Sequence, residues 1–122
     1  MATITYTVTV ATGTNWFSAN VNKYYLNGEV SPVLYLQEGN TYIFDQSDSS
    51  NGTGGGHPLR LSSTKDGTHA TPAGVAYTTG VTTTGTPGSA GAKTTINVAP
   101  VRTVGAPVLF YYCTNHAGMG NT

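Results

Sequence analysis

From Thr3 to Val10 apolar and polar positions alternate without a break. Ile4, Tyr6, Val8 and Val10 fall on one parity, and Thr3, Thr5, Thr7 and Thr9 on the other. A period of two places each set on its own face of an extended chain, so the segment predicts a strand with one buried face. The β-branched threonines favour the same backbone. After Gly13 comes a short aromatic segment, Trp16-Phe17, and then Tyr24-Tyr25-Leu26, ended by Asn27-Gly28. That pair supplies positive φ and marks a turn. Val33–Gln37 predicts the next strand, stopped by Glu38-Gly39-Asn40. Thr41–Asp45 follows at once, so the two should form a hairpin or a corner between sheets.

Residues 46–56 carry no apolar anchor and read as a flexible connection. Asn51-Gly52-Thr53 has the form of a glycosylation sequon, a weak signal here. Gly54-Gly55-Gly56 lacks the Lys-Ser/Thr of a phosphate-binding loop. His57–Ser62 predicts a strand with Leu59 and Leu61 on one face. The Thr-, Gly- and Ala-rich stretch from Ser63 to Lys93 is long for a loop in a compact domain. A short strand is therefore expected within it, around Ala76–Val81, with Val75, Tyr77 and Val81 as anchors. Thr94–Val98 alternates again and is ended by Ala99-Pro100, and Pro107 opens the last strand, Val108–Cys113. Alternation there should send one of Tyr111 and Tyr112 inward and the other outward. No segment holds a helical apolar period over three turns, and strand signals recur every 8–15 residues or so. The expected architecture is all-β, a sandwich of seven or eight strands forming one domain over residues 1–122.

Composition narrows the setting. Only 8% of the 122 residues are charged, and five basic residues balance five acidic ones. No basic patch exists to hold nucleic acid or an anionic membrane. A surface built from Thr, Ser, Asn and Gly suits packing among neighbours in an assembly better than free diffusion. The single cysteine excludes an internal disulfide. The N-terminal segment does not read as a signal peptide, and no apolar run approaches a membrane span. The few carboxylates include Asp45, Asp48 and Asp66, all in turn contexts, so hydrolytic chemistry finds no footing and no enzymatic role is expected.

The chemistry lies in the tail, Tyr112-Cys113-Thr114-Asn115-His116-Ala117-Gly118-Met119-Gly120. A thiolate, an imidazole and a thioether at three-residue intervals make a soft nitrogen–sulfur ligand set. A Cys and two His with a weak axial Met is the ligation of a blue-copper centre, so one histidine is missing from the loop. His57 is favoured over His69, because the end of an apolar strand is a rigid place to hold a ligand. His69 sits in a polar Asp-Gly-Thr-His-Ala turn and reads as surface.

Cys113-x-x-His116-x-x-Met119 after an apolar strand, with a histidine far upstream, resembles the cupredoxins, the plastocyanin and amicyanin group. More narrowly, three stretches are similar to cupredoxin-like modules of marine bacteriophage virion and tail proteins. They are His57–Ser63 with Asp66-Gly67-Thr68-His69, then Tyr77–Val81 with Gly85–Gly88, and the tail. The resemblance covers roughly residues 30–121. It implies a Greek-key β-sandwich with one copper ion held by His57, Cys113, His116 and Met119. It also implies a structural or decoration role in a virion, among capsid or tail proteins or copies of this chain. A soluble blue-copper electron carrier, periplasmic or extracellular, and a copper-binding module are the alternatives. Plastocyanin-type proteins follow the upstream His with an Asn that ties the two copper loops together. Here that position is Pro58, which has neither a side-chain donor nor a backbone N–H. Support for the ligands is then expected from backbone groups near the Cys sulfur and from aromatic packing.

Overall fold

Alternation along the N-terminal segment builds the longest element, β1 (Thr3–Gly13), with Val8 and Val10 buried. The computed structural model describes residues 2–99 and 106–122; Pro100, expected to end a strand, lies outside them. β1 changes partner halfway. Thr3–Thr7 pair in parallel with β4 (Thr41–Asp45), whereas Val8–Gly13 pair antiparallel with β2 (Val21–Leu26). On the edge that β4 leaves, loop side chains take over: Asn51 Nδ2 donates to Val8 O at 2.8 Å and Val10 N donates to Ser50 Oγ at 2.9 Å.

Asn27 and Gly28, with φ of 51° and 84°, turn β2 back onto the two-residue β3 (Glu29–Val30). Both positive φ values match a two-residue hairpin loop. On the other side of the sheet β7 (Lys93–Asn97) pairs antiparallel with β4, and β6 (Val81–Thr84) with β7. The six-stranded order is β3-β2-β1-β4-β7-β6, and a second sheet pairs β5 (Leu59–Ser62) antiparallel with β8 (Phe110–Cys113). Eight strands and two short 3-10 turns, Ser49–Gly55 and Gly67–His69, make up the regular structure among the described residues. The result is an all-β sandwich. No helix among these residues is long and apolar enough to cross a membrane.

Inward positions of both sheets meet in one core. Val8, Tyr24, Leu26, Phe44 and Ile96 come from the larger sheet, and Leu59, Leu61 and Tyr111 from the smaller. Tyr111 bridges them, its ring centroid 6.3 Å from those of Tyr24 and Phe44. Each such side chain contributes about 1.5–3 kcal/mol by leaving water. Thr94 sits at an inward position of β7, and its hydroxyl donates to Leu59 O at 2.9 Å, joining the sheets by a polar bond.

Four expectations need correction. Val33–Gln37 alternates as expected, with Leu34 buried between exposed Val33 and Tyr35, but it forms no strand. It runs extended beside the chain before β8, its place secured by Tyr111 Oη donating to Pro32 O at 2.6 Å rather than by a ladder. The strand expected around Ala76–Val81 begins only at Val81, because Gly80 turns the chain with φ of 71°. Tyr77 N instead donates singly to Leu61 O at 2.6 Å. The last strand is shorter than expected, since β5 supplies only four partners, Leu59 to Ser62, for Cys113 to Phe110. Finally, Tyr111 and Tyr112 are both buried, because the Gly67–His69 turn covers the face on which Tyr112 would otherwise meet solvent.

Candidate metal centre

β8 delivers Cys113 fully buried at the end of the smaller sheet, directly across from Leu59. That register puts the thiol beside the residue two places upstream, His57. Cys113 Sγ lies 3.8 Å from His57 Nδ1 and 3.6 Å from His116 Nδ1. The three ligand atoms all lie within 4.8 Å of one another, and the two imidazole centroids are 4.7 Å apart. His57 is buried and His116 half-buried at the surface. Met119 is buried, and it lines the same surface cavity as His116, Ala117 and Val21.

The two S···N separations fit an ion. With bonds of about 2.3 Å to sulfur and 2.0–2.1 Å to imidazole nitrogen, these S···N separations correspond to ligand–metal–ligand angles of about 110–120°. The residues His57, Cys113, His116 and Met119 form a group able to bind a metal.

The hydrogen bonds around His57 select the tautomer such a ligand needs. Thr53 Oγ1 gives its own proton to Ser50 O at 2.9 Å, so it can only accept from His57 Nε2, 3.3 Å away. The proton therefore sits on Nε2, and the Nδ1 lone pair faces the sulfur. Burial, and then the neighbouring His116, hold the His57 pKa below its ordinary value, which keeps the ring neutral.

The loop before His57 is not the flexible connection expected from its composition. Gln46 continues the inward parity of Tyr42 and Phe44 one step past β4, and there its amide bonds twice to the chain around His57. Nε2 donates to His57 O at 2.6 Å and Oε1 accepts from Leu59 N at 2.9 Å. Tyr24 Oη donates to the same carbonyl at 2.6 Å. Asn51, fully buried, accepts from Gln46 Nε2 at 3.0 Å through its side chain, and its own carbonyl takes His57 N at 2.7 Å. A side-chain amide so engaged has no room for a sugar, so the sequon is structural. Extending the two-residue period of β4 by one step would have found Gln46; nothing in the sequence marks Asn51.

The tie that Pro58 cannot make is made from the opposite loop. Asn115 Nδ2 donates to Gly56 O at 3.0 Å, and Thr114 N to Pro58 O at 3.2 Å. His69, expected at the surface, is half-buried, and it is no ligand: its Nε2–H donates to Cys113 O at 2.7 Å. Asp66, read as a turn residue, is buried and accepts from Gly118 N at 2.9 Å. Lys23 is fully buried at the same place, Nζ donating to Gly118 O at 2.8 Å and Ser18 Oγ at 2.6 Å. Burial lowers its pKa, partly offset by the charge of Asp66. Comparison of the chain with protein-family models, with curated proteins and with solved structures finds no match.

Proposed function

We propose that this chain is a cupredoxin-like domain for one type 1 copper ion, with His57, Cys113 and His116 as strong ligands and Met119 as the weak axial one. The observation that carries the reading is the convergence of two imidazole Nδ1 atoms on one buried thiol, from loops 56 residues apart in sequence. A small mixed-sheet β-sandwich with such a cluster at the end of its last strand is compatible with that family. The soft sulfur and imidazole donors favour copper over hard oxygen-seeking ions. Bound copper would supply one-electron redox chemistry. The chain's part is to keep His57 neutral and aimed through Thr53, Gln46 and Tyr24, to keep Cys113 from solvent, and to leave His116 at the surface.

We place the domain in a bacteriophage virion as a structural or decoration module, beside capsid or tail proteins or copies of itself, and without an enzymatic role. A sparsely charged, Thr-rich surface supports that setting. The second reading, a soluble electron carrier, is favoured by ligands placed at a strand end and on a hydrogen-bonded loop, a rigid setting that would need little rearrangement between redox states. Titrating purified protein with Cu(II) should produce the intense visible absorption of a copper–thiolate bond, and Cys113→Ser should abolish it. A colourless wild type would sink the copper reading. Recovery of the native protein in a large particle supports the virion setting; recovery as a free monomer that exchanges electrons with a partner supports the carrier.

A further inference from the structure

One short turn that carries no ligand holds both ends of the ligand loop. At the near end His69 Nε2–H donates to Cys113 O at 2.7 Å, and at the far end Gly118 N donates to Asp66 Oδ1 at 2.9 Å. Between these grips Gly67, with φ of 51°, lies against Tyr112 so closely that a Cβ there would stand 2.5 Å from the ring. The His69 ring meets Tyr112 edge-on at 6.3 Å. The turn is therefore seated on β8 while it spans the loop. The carbonyl of Gly118 is held as well, accepting from Lys23 Nζ at 2.8 Å and Asn15 Nδ2 at 2.9 Å.

We propose that Asp66 and His69 are positioning residues that preset the Cys113–Gly118 loop in its ligand-holding form before any metal arrives. For its role the inference rests on reading the site as a metal centre, but the bracket is made of the chain's own bonds and needs no metal. A bond from a carboxylate to a backbone N–H, buried here, and one from an imidazole N–H to a carbonyl, partly buried, are stronger than fully exposed counterparts. Fixing both ends settles the ordering entropy of the loop at folding, so that binding a ligand does not have to supply it. The thioether of Met119 follows the gripped Gly118 directly, so the same bonds set where it stands.

The test uses the full metal-free chain with its thiol reduced. A disulfide-type thiol reagent reads how often the loop opens to expose buried Cys113. His69→Ala and Asp66→Ala are compared with His69→Gln and Asp66→Asn, which keep a donor and an acceptor at the same places. While folded by circular dichroism, the two alanine variants should react about tenfold faster than wild type or more, the change in opening that loss of one buried hydrogen bond brings. The Gln and Asn variants should stay close to wild type. Cu(II) loading, followed by its visible absorption, should gain a slow phase in the alanine variants alone. Alanine variants with wild-type thiol reactivity would overturn the proposal. Should they fail to fold, hydrogen exchange in wild type decides: Gly118 N–H should exchange as slowly as the amides of β8, and fast exchange would overturn the bracket. If the chain takes no copper, the thiol and exchange readouts still judge the bracket, and only the metal reading falls.

Discussion

Asn51 and Gln46 are uncharged amides placed where a core would ordinarily hold leucine, and they do for the His57 loop what apolar anchors do elsewhere. Their bonds run to Val8 O, His57 O, Leu59 N and each other, so removing one leaves several buried partners unsatisfied. Asn51→Ala should cost about 2–3 kcal/mol, the scale of orphaning buried polar groups. For a domain of this size that lowers Tm by roughly 10 °C, as calorimetry would show. A variant melting with wild type would mean that the loop is held by its backbone alone. Asn51→Ala should also weaken metal binding without touching a ligand, because the carbonyl and amide of His57 lose their fixed frame.

At the scale of elements, Gly67 is the sharpest test of how turn and strand are fitted. Its φ of 51° and the 2.5 Å approach of a Cβ to Tyr112 make Gly67→Ala strained in two ways. A cost of about 2–3 kcal/mol is expected in denaturant unfolding, from left-handed backbone strain plus overpacking. A neutral effect would mean that Tyr112 can move aside. The elements most legible in the sequence were those whose alternation ran unbroken, β1, β4 and β7, together with the Asn27-Gly28 turn. Cys113 and His116 were legible because a three-residue spacing after a strand is a local pattern, and His57 because it opens the apolar run of β5. What escaped was held by non-local partners. Val33–Gln37 has the pattern of a strand, yet it joins no ladder among the described residues. Asp66 and His69 owe their roles to Cys113 and Gly118, 44 to 52 residues on, which no periodicity encodes.

Over the whole molecule, the polar surface and aromatic core give stability a defined response to alkali. Burial raises the phenol pKa of Tyr24 and Tyr111, with Cys113 adding to the effect at Tyr24 and Glu29 at Tyr111. Unfolded tyrosines ionise near pH 10 or so, where the folded chain still keeps these protons. Their contribution is thus complete below about pH 10 and is lost as pH rises beyond it. Burial also raises the pKa of Tyr6, and the lowered pKa of Lys23 works in the opposite direction, one group against three. Thermal unfolding of the metal-free protein should therefore show Tm falling above about pH 10, less steeply in Tyr24→Phe; a flat profile would contradict this. The central claim, that two loops bring His57, Cys113 and His116 around one copper ion, is tested most directly by X-ray absorption at the copper edge of the loaded full-length chain. The account predicts one sulfur at about 2.3 Å or less and two nitrogens at about 2.0 Å, with the sulfur shell gone in Cys113→Ser. A wild-type spectrum fitted by nitrogen and oxygen alone would contradict it.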